Sequence, residues 1–239
     1  MSIYSFQTHV CYDDIDHNMR LTLKGAMGYM QEAAIIHSGK VGYSVGDVSR
    51  THVIWMLLQW RIRLEKSVSW HELLTIETCP RTIERATSIR DFQIKNRKDE
   101  IVAVGESNWV LVNADTGRIM RITPEIAAAY DLTETPVFED SLPDIPLGDG
   151  ALAYSGIVQR RDIDTNHHVN NRVYLDYALE ALPQQLADAS FREVHVRYRK
   201  QMLPGQKFFC YYRAEGERQI VDICGDDPSH VHGTVVFLP

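Results

Sequence analysis

The sequence predicts an α+β fold built from two similar halves, each a loop, one long helix and a meander of antiparallel strands. Three observations carry this prediction. Asp14-Ile15-Asp16-His17-Asn18 reappears 148 positions on as Asp162-Ile163-Asp164-Thr165-Asn166, and at the same offset Tyr29 meets Tyr177 and Glu32 meets Glu180. Each of these stretches precedes a helical pattern and then a series of β-branched and aromatic runs. Between the halves, residues 131–150 hold Pro136, Pro143, Pro146, several acids and no Lys or Arg. Proline fixes φ and removes a backbone donor, so this stretch reads as a linker. The expected organisation is residues 1–130, a linker over 131–150, and residues 151–239. A helix laid on an antiparallel sheet is an α+β layer arrangement.

The elements follow in order. Thr22 can cap a helix running to about Ser38, with Gly39 suited to the position after its end. Gly25 and Gly28 sit inside that helix, each costing about 1 kcal/mol relative to Ala, beside the adaptable Met27 and Met30. An apolar tunnel for a chain-like ligand and close helix–sheet packing explain these four residues equally well. Strands are expected over Trp55–Leu64, Leu73–Thr78, Ala86–Lys95 and Val102–Asn113, separated by turn residues such as Asp115-Thr116-Gly117 just beyond the last. In the second half Asn170 or Asn171 can cap a helix through about Leu182, stopped at Pro183. Strands then follow over Glu193–Arg199, Lys207–Ala214, Gln219–Cys224 and Val231–Leu238.

Composition narrows the function. Of 239 residues, 44% are hydrophobic and 24% charged, which excludes a disordered chain, a collagen-like repeat and a coiled coil. The net charge of −7 opposes general nucleic-acid binding. The longest apolar run, Val53 to Leu58, falls far short of the roughly 20 residues that span a bilayer. The first residues have neither a basic region nor an apolar one, so no signal peptide is expected. Cys11, Cys79, Cys210 and Cys224 form no CxxC and read as free thiols in a cytoplasmic protein. No G-x-G-x-x-G, Walker A or G-x-S-x-G element occurs, so no nucleotide cofactor and no serine nucleophile is indicated.

The densest polar cluster runs from Arg160 to Asn171, immediately before the second helix. It gathers acids, carboxamides and two imidazoles. His is the side chain best poised to move protons near neutral pH, and a helix N-terminus offers N–H groups to an oxyanion. Together these suit attack on a carbonyl. A purely structural loop in which Asp and Asn close turns remains an open alternative. A metal site is disfavoured for His167 and His168, since adjacent residues in an extended loop point opposite ways, and no metal-binding motif accompanies them. His230 and His232 would share a strand face but lack a clear third partner.

The segment D-I-D-T-N-H-H-V-N-N-R-V-Y-L-D-Y (Asp162–Tyr177) resembles the D-x-D-x-N-x-H-V-N-N-x-x-Y signature of the acyl-acyl carrier protein thioesterases, the plant FatA/FatB type and its bacterial relatives. Further blocks look similar in order: Trp55–Arg63, Trp70-His71-Glu72, Ile76–Pro80, Ser107–Asn113 and Val196–Gln201. The resemblance implies a tandem double hotdog, each domain a long central helix wrapped by an antiparallel sheet. It implies hydrolysis of the thioester between a fatty acyl chain and the phosphopantetheine arm of acyl carrier protein, without a cofactor or metal. The family's catalytic Asp, Asn and His fall on Asp164, Asn166 and His168. Where the family has an acid and then a Cys, this chain has Gln201 and Met202. Gln cannot act as a general base and Met cannot act as a nucleophile, so no covalent intermediate is expected, and Gln201 would position a water.

The resemblance also assigns the acyl chain to the first half, which makes Gly25, Met27, Gly28, Met30 and Trp55 pocket candidates. Acyl carrier protein is acidic, so Arg160, Arg161, Arg197, Arg199 and Lys200 become candidates for a local basic face. The lack of a plastid transit peptide fits a bacterial member. An acyl-CoA thioesterase, a dehydratase and a non-catalytic acyl-carrier-binding module are the alternatives on the same fold, and both a monomer and a homodimer are compatible with it.

Overall fold

Thr22 starts the longest helix of the computed structural model, which describes residues 3–133, 135–186 and 189–239. Its Oγ1 accepts from the Gly25 N–H at 3.0 Å, relieving one of the unpaired donors of a first turn. The helix, α1 (Leu23–Lys40), runs two residues past the expected end. The left-handed residue after it is Gly42, with φ 83°, because the chain closes one turn later than Gly39 suggested.

By internal contacts the chain divides into a first unit, Met1–Leu142, and a second, Pro143–Pro239. The first unit holds β1 (Tyr4–His9), α1, a short α2 (Val48–Thr51), β2 (Val53–Leu64), β3 (Leu73–Glu84), β4 (Thr87–Lys95), β5 (Ile101–Asn113) and a short α3 (Pro124–Ala128). Its strands are antiparallel in the order β1-β3-β4-β5-β2. Met27 and Met30 of α1 are fully buried with Trp60, Ile62, Leu74, Ile76 and Phe92 from the sheet. Helix and sheet approach closely where Gly105 removes a side chain: an added Cβ would stand 2.5 Å from the Met30 Sδ.

The second unit holds β6 (Ala151–Ile157), α4 (Val173–Glu180), β7 (Glu193–Tyr198), β8 (Lys207–Glu215), β9 (Arg218–Cys224) and β10 (Val231–Leu238). Its sheet order, read from β6, is β6-β8-β9-β10-β7. Numbered within each unit, both sheets run first, third, fourth, fifth, second, which is the internal repeat expressed as topology. Tyr177 of α4 stacks on Phe208 with centroids 4.0 Å apart, and Gly233 admits the Tyr174 ring, which an added Cβ would meet at 3.0 Å.

Three expectations change. Helix α4 begins at Val173, capped at Arg172 rather than at Asn170 or Asn171, because Asn170 closes a preceding turn: its Oδ1 accepts from Arg172 N–H at 2.9 Å and its carbonyl from Val173 N–H at 2.9 Å. It also ends at Glu180, short of Leu182. Strands β1 and β6, short and largely polar on one face, were not expected at all. Most of the expected linker is exposed, but two of its residues are buried in the units on either side. Phe138 is buried under the guanidinium of Arg61, and Asp140 pairs with Arg61 at 2.7 Å in the first unit. Ile145 packs with Ile220 and Val236 in the second. Glu134 of that stretch lies outside the described residues.

Candidate active site

The polar loop before α4 is a tight turn closed by Asp164. Asp164 N–H donates to the His168 carbonyl at 2.8 Å, and its Oδ1 accepts from the N–H of Asn166 at 2.8 Å and of His168 at 3.4 Å. Side chains of Asp commonly close turns in this way. At the apex His167 is left-handed, with φ 62°. Deeper in, Asp162 is buried, and its Oδ2 accepts from Gln159 N–H at 2.7 Å and from the Tyr177 hydroxyl at 2.6 Å. Asp162 therefore ties the loop to α4, and burial together with that bond raises the Tyr177 pKa.

The first unit carries the same turn. Asp16 N–H donates to the Arg20 carbonyl at 2.8 Å, its Oδ1 accepts from Asn18 and Arg20 N–H at 2.8 and 2.9 Å, and Met19 has φ 62°. The equivalents of His167 and His168 there are Met19 and Arg20, and Arg20 is bonded to Ser69. The backbone device is thus duplicated. The left-handed residue belongs to the turn and is not in itself a catalytic sign. The first copy carries its imidazole at His17, in contact with the Asn18 carboxamide at 3.1 Å, and only the second places one at the position of His168.

Asn166 and His168 of that copy, and Gln201 of the neighbouring segment, have no side-chain partner among the described residues. The Asn166 carboxamide is exposed, the His168 ring is half-buried, and the Gln201 carboxamide is exposed. The Val169 N–H donates to the Met202 carbonyl at 3.0 Å, so His168 and Gln201 flank one backbone bond that joins their two segments. Met202 itself is fully buried. The segment Lys200–Gln206 is held from behind by His232, a residue whose role the sequence did not reveal. Nδ1 of His232 meets the Lys200 carbonyl at 3.1 Å, and its Nε2 meets Gln206 Nε2 at 2.9 Å. Burial lowers its pKa, consistent with a neutral ring that donates at Nδ1 and accepts at Nε2.

Two parts of the expected chemistry are altered. Asp164 spends Oδ1 on backbone N–H groups and bonds neither the Asn166 carboxamide nor the His168 ring. Of the N–H groups ahead of the helix, those of Val169 and Asn170 already serve the Met202 and Asp162 carbonyls.

The first unit contains an apolar pocket, part of it open to solvent, with Ala34, Ile35, Tyr43, Trp55 and Trp109 among its lining residues. Of the five expected pocket residues, Trp55 lines it, while Gly25, Met27, Gly28 and Met30 do not. Gly25 instead makes room for the turn below it: an added Cβ would stand 2.7 Å from the Asp14 carbonyl oxygen. Arg90, Ser38 and Tyr130 also line this cavity. A charged residue in register with the apolar Phe92 and Ile94 on β4 was the signal in the sequence that could have singled out Arg90.

The basic candidates separate as well. Arg160, Arg161, Arg199 and Lys200 are all exposed, but the Arg199 guanidinium is tied to Thr234 and the Ile145 carbonyl. Among the described residues no three His, Cys, Asp or Glu side chains cluster as metal ligands, and no helix is long and apolar enough to cross a membrane.

A family profile described as the acyl-ACP thioesterase N-terminal domain matches residues 2–130, and one described as the C-terminal domain matches residues 153–227. The oleoyl-acyl carrier protein thioesterase 2 of Arabidopsis thaliana, a chloroplastic protein, is 30% identical over 79% of this chain and 56% of its own length. The chain thus spans about half the length of the curated relatives it matches. Among solved structures, an acyl-ACP thioesterase from Bacteroides thetaiotaomicron superimposes with a TM-score of 0.89 at 18% identity, over 99% of this chain and 97% of that one. The 12:0-ACP thioesterase of Umbellularia californica gives 0.83 at 19% identity, over 99% and 96%. These likenesses establish the double hotdog fold.

Proposed function

The chain belongs to the acyl-ACP thioesterase family, and from that premise we propose that it hydrolyses acyl-acyl carrier protein to a free fatty acid and the carrier's thiol, as a step of fatty acid synthesis. The observation that carries this reading is the turn closed by Asp164. It presents Asn166 and His168 with their side chains unbonded, next to Gln201 on the joined segment.

In the reaction His168 takes a proton from water as the water oxygen attacks the thioester carbonyl carbon. Asn166 donates to the carbonyl oxygen as it gains negative charge. The tetrahedral intermediate collapses with loss of the C–S bond, and the proton held by His168 passes to the departing sulfur. Asp164 keeps the turn in shape, and Gln201 orients the water. Met202 is a buried thioether, which supports direct attack by water over an acyl-enzyme.

The cavity in the first unit supports a fatty acyl substrate, and Arg160, Arg161 and Lys200 support docking of an acidic carrier. Four unpaired cysteines support a reducing compartment such as the cytosol. The test compares kcat/KM on acyl-ACP and on acyl-CoA of matched chain. A clear preference for acyl-ACP with release of free acid is expected. Equal or better use of acyl-CoA would replace this reading with the acyl-CoA thioesterase one.

A further inference from the structure

Arg90 is only 5% exposed, yet no carboxylate bonds it. On β4 it shares a face with buried Ser88, Phe92 and Ile94. Its Nη1 contacts Nδ1 of His37 at 3.0 Å and Oγ1 of Thr78 at 3.3 Å, and its guanidinium carbon lies 5.7 Å from the centre of the Tyr130 ring. None of these partners is negative. Burial, with the charge of Arg90 adding to it, pushes the His37 pKa down to about 4, so the imidazole is neutral and Nδ1 accepts.

Nearby acids are engaged elsewhere. Asp91 points to the other face of the strand, where Arg81 holds it at 2.8 Å. Asp131 is exposed and acts on His37. Nε and Nη2 of Arg90 donate to no group among the described residues. A buried charge left without a counter-charge is costly, and this one lines a cavity whose other walls, Ile35, Val53, Trp55 and Trp109 among them, are mostly apolar.

The geometry points to a carboxylate-recognition site: the cavity takes a hydrocarbon chain that ends in a carboxylate, and Nε and Nη2 of Arg90 donate to its two oxygens. Arginine suits this role because its fork of donors matches a carboxylate. His37 and Thr78 hold the guanidinium from behind at Nη1, leaving the other edge for the ligand. Two sources share this chemistry. One is the free fatty acid, entering carboxylate first as a bound product. The other is an acyl thioester with a second carboxylate at its far end. The inference rests on the reading of the first unit as the acyl-binding one.

Trp55 and Trp109 line the cavity, so quenching of intrinsic fluorescence reads its occupancy without any enzymatic turnover. At about pH 8 the wild-type protein should bind dodecanoate about tenfold or more tighter than 1-dodecanol, the size of a charge-assisted hydrogen-bonded contact. Arg90→Met should keep its dodecanol affinity within about twofold and lose the preference. Equal affinities in the wild type, or a preference that persists in a folded Arg90→Met, would overturn the site. If Arg90→Met shows no cooperative melt, the wild-type comparison of dodecanoate, dodecanol and methyl dodecanoate decides alone, since only the ionised ligand should stand apart. Competitive inhibition of dodecanoyl-ACP hydrolysis by dodecanoate assigns the site to the free acid. A higher kcat/KM for the ω-carboxylated acyl-ACP than for dodecanoyl-ACP assigns it to the doubly acidic substrate. A carboxylate preference without any dodecanoyl-ACP hydrolysis would defeat the thioesterase reading and leave the site standing.

Discussion

His168 and Arg20 occupy equivalent places in two copies of one turn, and the difference between them is chemical, not conformational. Both turns are closed by an Asp Oδ1 on two backbone N–H groups. Arg20 is permanently charged and bonded to Ser69, whereas His168 can exchange a proton and its ring is unbonded. Removing a positioned acid–base group costs about 10²–10⁴ in rate. Asn166→Ala should lower kcat by a similar factor if it supplies the oxyanion donor, with the melting temperature unchanged. Asp164→Ala should behave differently: it loses two backbone bonds, so it should lower stability by about 1–3 kcal/mol along with kcat. Thermal unfolding beside steady-state rates separates the two patterns, and an Asp164→Ala that is inactive but fully stable would contradict the turn-closing role. These residues were legible because Asp, Asn and His concentrate in one short stretch that also matches a family signature. Arg90 and His37 were not, since each sits inside a run that reads only as strand or helix until the pairing of α1 with β4 brings them together.

At the scale of elements, the long strands and the first helix could be read from β-branched runs and from Thr22. Strand β1, Tyr4–His9, could not: it alternates half-buried and exposed residues and gains its identity from pairing with β3. For Gly25 a ligand tunnel and close packing were equally open, the resemblance made it a pocket candidate, and the turn at Asp14 supplies a packing reason for its smallness. Gly25→Ala should destabilise the first unit by about 1–3 kcal/mol through overpacking, without changing the chain-length profile of released acids. A shifted profile at normal stability would restore the tunnel role.

The opposite sheet face holds a second feature of element size. Asp91 of β4 and Glu106 of β5 are paired in register, are both buried, and share Arg81. Burial pushes Glu106 up to about 7, opposed by Arg81 and assisted by Asp91, and pushes Asp91 up to about 6. An acid whose pKa rises on folding weakens the folded state as it ionises. This contribution therefore falls as pH climbs from the ordinary Glu value of 4.5 to about 7 and is flat above that. Glu106→Gln lacks it, so the melting temperature of Glu106→Gln relative to wild type should rise across that window. A constant difference would show that Glu106 does not titrate there.

The whole molecule carries −7, and its proposed partner is acidic, so docking must rely on local charge. Arg160, Arg161 and Lys200 are the candidates, while the Arg199 guanidinium, also on an exposed residue, is bonded to Thr234 and the Ile145 carbonyl. KM for acyl-ACP should increase with ionic strength, and Arg160→Ala/Arg161→Ala should raise KM and flatten that dependence while kcat is retained. A KM indifferent to salt would remove the basic face from the account. The duplication, legible from one repeated pentapeptide, proved to extend to strand order and turn geometry. The burial of Phe138 and Ile145 within the linker was not legible, because it depends on Arg61 and on Ile220, far away in sequence. The most direct test of the central claim is hydrolysis of dodecanoyl-ACP by the wild type and by His168→Ala, followed by release of the carrier's free thiol. The account predicts turnover by the wild type and a loss of kcat of about 10² or more in a variant that melts normally. Undiminished thiol release by folded His168→Ala would contradict it.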